Sequence, residues 1–145
     1  SSEGQVGEAC WVVNSAVSGS IAPVITPNVS AAYVQAFYIE LSSTNPIVGI
    51  DAQTANSVGS GSVCPFGAIS TATSGEMLVA YEASNTGGAS SSLAGGSPNA
   101  WVQSNTVSGY PAMYYQLNAS KVTSQTYNLS ITAAGQCASQ IVALR

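Results

Sequence analysis

Histidine is missing altogether, and charge of either sign is scarce: two basic and six acidic side chains in 145 residues. Without imidazole the chain lacks the side chain that most often acts as general base near neutral pH, and no Ser-His-Asp arrangement can be built. Lys121 and Arg145, the two cations, cannot form a basic surface, so nucleic acid is excluded as a partner. A net charge of −4 and a pI near 4.1 remove attraction to anionic lipid as well. No apolar run approaches the roughly 18 residues that cross a bilayer, so membrane insertion is not expected. The opening stretch SSEGQVGEAC is polar and has no signal-peptide pattern, so if the chain is exported this is expected to be its mature form.

Cysteine is also sparse. Cys10, Cys64 and Cys137 lie far apart with no CxxC, and without histidine a structural zinc site has no ligand set. One disulfide in an oxidising compartment fits the count, with one thiol left over, buried or bonded to a neighbouring subunit. Of the three pairings we take Cys64–Cys137.

What is present is apolar and small-polar. Hydrophobic residues make up 46% of the chain and charged residues 6%, against roughly 25% charged in ordinary soluble domains. Solubility therefore falls to Ser, Thr, Asn, Gln and Gly, a surface suited to secreted, glycan-coated or self-associating proteins. The length suits one domain. We divide it into an N-terminal arm, residues 1–9, and a β domain, residues 10–145.

Ala31 to Leu41, AAYVQAFYIEL, has no glycine or proline, and both of its period-two faces are largely apolar. That pattern predicts a central strand covered on both sides. Around it we expect strands at Cys10–Val17, Ile21–Thr26 (at an edge or a bulge, because of Pro23), Val63–Ile69 and Glu76–Ser84. Further strands are expected from Trp101, over Ala112–Leu117, around Tyr127–Thr132, and at Cys137–Leu144. Ser42 to Ser62 and Asn85 to Asn99 read as long polar loops. The sum is an all-β, jelly-roll-like antiparallel β-sandwich of about eight to nine short strands. Trp11–Leu41 also lies over Tyr114–Leu144 as an internal repeat, with Asn14-Ser15-Ala16 on Asn118-Ala119-Ser120. The second copy follows the apolar strand GEMLVAY, whereas the first follows only a polar arm. By that pseudo-symmetry the first half is one strand short.

The strand ending IEL before a Ser/Asn/Pro loop (Ile39 to Pro46), TATSGEMLVAYEAS (Thr71 to Ser84) and the terminal SQIVALR (Ser139 to Arg145) resemble a jelly-roll β-sandwich domain of secreted bacterial surface and filament proteins. Ser42-Ser43 replaces the Ser-Gly of that pattern, and its N-terminal strands are missing. The resemblance implies an extracellular, cell-surface location and no catalysis, and it carries over no active-site residue.

Candidate chemistry is thin. Glu40, Asp51, Glu76 and Glu82 could supply a glycosidase-like carboxylate pair, but Glu40 and Glu82 sit at or inside strand ends and Asp51 in a loop. The same scattered carboxylates form no Asp-rich calcium loop, so no metal or other cofactor is expected. Sequons stand at Asn28, Asn118 and Asn128, making covalent glycans expected partners. A sandwich short of one strand leaves backbone groups unpaired along an edge, and a strand from an identical subunit can fill it. Head-to-tail entry would give a homopolymeric filament. The assembly-edge candidates are Gln5 and Val6 in the arm and Trp11 and Val13 in the first strand. The second reading is a carbohydrate-binding module, with Trp101 and Tyr110 as the stacking platform.

Overall fold

In a computed structural model, the structure describes residues 49–84, 89–94, 101–103 and 113–145, together with Val24 and Thr26. Every regular element among them is a strand and every pairing is antiparallel. In chain order these are β1 (Ile50–Pro65), β2 (Glu76–Ser84), β3 (Ala89–Ala94), β4 (Val102–Gln103), β5 (Met113–Ala119) and β6 (Asn128–Leu144). They form one curled sheet in the order β1-β6-β2-β5-β4, with β3 beside β6.

The long strand β6 holds the sheet together. Its C-terminal half, Cys137–Leu144, lies between β1 and β2 and pairs with β2 without a register shift. Its N-terminal half lies between the end of β1 and β3. The β1–β6 ladder breaks register on both sides of the Gly61–Gly135 pair. Extra residues at such bulges, with glycine on both strands, let a twisted ribbon bend sharply. The bend brings the two arms of the ribbon face to face. Cys64, Phe66, Tyr127, Leu129 and Ile131 from one arm pack with Leu78, Ala80, Tyr114, Ile141 and Ala143 from the other. Burial of each large side chain here contributes about 1.5–3 kcal/mol.

The bent ribbon is fastened at three places. Cys64 and Cys137 form a disulfide with Cα atoms 6.0 Å apart, in agreement with the expected pairing. Ser139 Oγ donates to the Pro65 carbonyl at 2.7 Å. Gly67 backs against Thr54 and Ala55 so closely that a Cβ there would collide with Thr54 Oγ1. Beyond β1, Phe66 N–H donates to Tyr127 O, Ile69 and Gln125 exchange backbone bonds, and Thr71 N–H donates to Val122 O.

On the opposite face of the same strands, Val79, Met113, Val142 and Leu144 form a second buried cluster flanked by Met77 and Tyr81. The central strands are thus apolar on both faces, as strands covered on two sides should be. Met77, Val79 and Tyr81 share one face of β2, whose bounds match the expected Glu76–Ser84. Tyr127, Leu129 and Ile131 are buried while Asn128 and Ser130 are exposed, the expected alternation.

Several expectations need correction. Ser42–Ser62 does not remain a loop, because its second part belongs to the 16-residue strand β1. Most of its polar side chains face solvent, and it is held by the backbone ladder to β6, so it needs no apolar alternation. Val63–Ile69 is not a strand of its own: Val63–Pro65 ends β1, and Ile69 makes an isolated bridge. Asn85–Asn99 contains β3. The strands around Tyr127 and at Cys137 are one 17-residue element, since Ala133-Ala134-Gly135-Gln136 bends without breaking. Among the described residues β1 and β6, of 16 and 17 residues, are longer than the short strands expected. Val24 and Thr26 lie in no strand, and Val24 is 87% exposed. Cys10–Val17, the stretch Ala31–Leu41 and the first copy of the repeat lie outside the described residues.

Candidate assembly edge

The chemistry-bearing residues are spent on structure. Asp51 stands in β1 rather than in a loop; its carboxylate accepts a hydrogen bond from Ala72 N–H at 2.7 Å and lies 3.3 Å from the Arg145 guanidinium. Glu76 Oε1 accepts from Thr73 N–H and Thr73 Oγ1, at 3.1 and 2.7 Å. That fastens the turn through Gly75, whose φ of 87° places it where glycine is favoured, to the start of β2. Glu82 is buried on the inner face of β2. Burial, and then the charge of Glu82, push the Tyr114 phenol up to about 12. Burial alone raises Tyr127 above its usual value. Among the described residues no three His, Cys, Asp or Glu side chains gather as a metal group.

Trp101 does not present an open face. It is half-buried against the core, edge-on to Tyr127 at 82° with ring centroids 5.2 Å apart, and its enclosed Nε1 has no hydrogen-bond partner among the described residues. Tyr110 lies outside the described residues, as do Gln5, Val6, Trp11, Val13 and Asn28. Asn118 falls in β5, and Asn128 is exposed at the start of β6.

The feature that does stand out is the outer edge of β1. Among the described residues β1 pairs with β6 and with nothing on its other side. Ala52–Val58 pairs with Cys137–Ala143 in unbroken register, so this part of the strand is regular. Gly49 and Arg145 exchange both backbone hydrogen bonds at 3.1 Å. Odd-numbered residues of β6 thus turn their N–H and C=O groups toward β1, and even-numbered ones toward β2. Ala52, Thr54, Asn56 and Val58, opposite Ala143, Ile141, Ser139 and Cys137, point their backbone groups inward. Those of Gln53, Ala55 and Ser57 point out. Ser57 N–H donates to Asn56 Oδ1 at 2.8 Å, which fits an amide facing away from the ladder.

Edges of soluble monomers are commonly blunted by lysine, proline or inward charges. From Ala52 to Cys64 β1 has no charged residue and no proline. Gln53, Ala55, Asn56 and Ser57 are all exposed. This strand carries no long apolar alternation. The signal that could have found it is the run of uncharged residues free of proline, ended by Pro65. Comparison of the chain with protein-family models, with curated proteins and with solved structures finds no match.

Proposed function

We propose that this protein is a non-catalytic structural subunit of an extracellular, cell-surface homopolymeric filament or surface assembly, joined by β-strand complementation and glycosylated. The observation that carries this reading is the regular, uncharged stretch Ala52–Val58 of β1, which among the described residues pairs with β6 alone. The disulfide, which persists in oxidising compartments, and the scarcity of charge support it. In this reading the domain is a jelly roll completed by a neighbour, and the arm Ser1–Ala9, with Gln5 and Val6, is the donor. Asn128 is exposed within its sequon and is a glycan position in this reading.

Electron microscopy of native, never-refolded material tests this. Long fibres or sheets of uniform width are expected, and deletion of Ser1–Ala9 should abolish them while leaving a folded monomer. Compact monomers alone, across concentrations, would refute the assembly. The carbohydrate-binding reading would then be tested by saccharide titration of the parent chain against Trp101→Ala.

A further inference from the structure

We infer that the peptide bond Lys121–Val122 is a guarded protease site. It is the one internal bond of the sequence open to enzymes that cut after a basic residue, and the segment Ile69–Ala72 clasps it shut. Survival of the chain among such enzymes follows, whether or not subunits assemble.

Proteases of this class read a basic side chain through an acid in their specificity pocket. Lys121 and Arg145 are the only two basic side chains they can select, and Arg145 is the last residue of the sequence. Lys121 is exposed, so its side chain is within reach. The backbone beside it is not. Val122 N–H, the amide of the scissile bond, donates to Thr71 Oγ1 at 3.0 Å, and Val122 O accepts from Thr71 N–H at 3.0 Å. Ser124 N–H donates to Ser70 Oγ at 2.9 Å, and Gln125 and Ile69 exchange backbone bonds at 2.9 Å. Thr71 is buried, and Val122 packs its side chain against the core. Ser124 has a φ of 51°, so the chain turns just past the bond instead of running extended. A protease that takes its substrate as an extended strand must first break these bonds and draw Val122 out of the core. The clasp is itself anchored, since Ala72 N–H donates to Asp51 Oδ2 in β1 and Asp51 meets Arg145. Position in the chain adds a second safeguard. Lys121 lies between Cys64 and Cys137, whose disulfide is buried, so a cut leaves both pieces covalently joined.

Limited trypsin digestion of the full chain tests this. Cleavage of a clasped bond tracks the population of its opened form, so the native parent should be cut at least about a hundredfold more slowly than the same chain reduced, alkylated and held unfolded in urea. Mass spectrometry should find the cut at Lys121, and Lys121→Ala should remove it. Thr71→Val deletes the hydroxyl that accepts the scissile amide, and Ser70→Ala the one that holds Ser124. Each should speed cleavage about fivefold, the effect of one lost hydrogen bond, with its circular dichroism spectrum unchanged. Should Thr71→Val fail to fold, Ser70→Ala decides. Nicked material should run as one species until reductant separates Ser1–Lys121 from Val122–Arg145. A native parent cut as fast as the unfolded chain overturns the guard, and so does protection that neither substitution weakens. Fragments that part without reductant overturn their retention by the disulfide.

Discussion

Tyr114 sits in the core opposite Ala80, on the face that Glu82 shares, and a phenol in that position resists ionisation. Its folded value of about 12 lies above the ordinary 10, so the folded state holds the proton more tightly than the unfolded chain. The resulting stabilisation is fully present below about pH 10 and is lost as pH rises toward 12. Urea midpoints should accordingly fall across that window, and Tyr114→Phe should flatten part of the fall. In an ultraviolet titration, Glu82→Gln should lower the Tyr114 transition yet leave it above 10, because burial is the larger cause. A Tyr114 transition that does not move in Glu82→Gln would show that the two groups do not interact.

Among the elements, strands with a strong apolar signal were legible from residues alone. Glu76–Ser84 is legible to its bounds because Leu78, Val79 and Ala80 place apolar side chains on both faces and Ser74-Gly75 punctuates the start. Ile50–Ser62 of β1 reads as loop, since Gly, Asn and Asp are depleted in strands and its exposed faces carry no apolar alternation. Ala133–Gln136 hid the continuity of β6 for a related reason: a bend absorbed by paired bulges looks in sequence like a turn. The candidate site was harder still, because an edge is defined by which strand lies beside it, and that is set by long-range pairing. The pairing of the cysteines likewise follows from the bend, which folds residue 64 over residue 137. That staple closes a loop with a sequence separation of 73 residues, for which chain entropy gives about 4 kcal/mol. Cys64→Ala with Cys137→Ala should lower stability by about 2–5 kcal/mol in denaturant titration. No change at all would mean that the bent ribbon is held by packing and by bonds such as Ser139 to Pro65 alone.

At the scale of the whole molecule, so few charges predict indifference to salt. The Asp51–Arg145 pair, half-exposed on the arginine side, contributes at most about 1 kcal/mol. Raising sodium chloride from about 0.02 to 0.5 M shortens the screening length several-fold, yet the thermal midpoint should shift by less than about 2 °C. A larger drop in differential scanning calorimetry would reveal ion pairing that matters to the fold. The covalent link has a mechanical meaning as well. β2, β3, β4 and β5 all lie between Cys64 and Cys137 along the chain. A pulling force applied to the polypeptide on either side of the link passes through the sulfur atoms and bypasses those strands. Roughly 250 Å of contour length is thereby withheld from extension, at about 3.5 Å per residue. Under tension most of this sheet cannot be drawn out as thread, and the subunit yields only where the chain lies outside its own knot of sulfur.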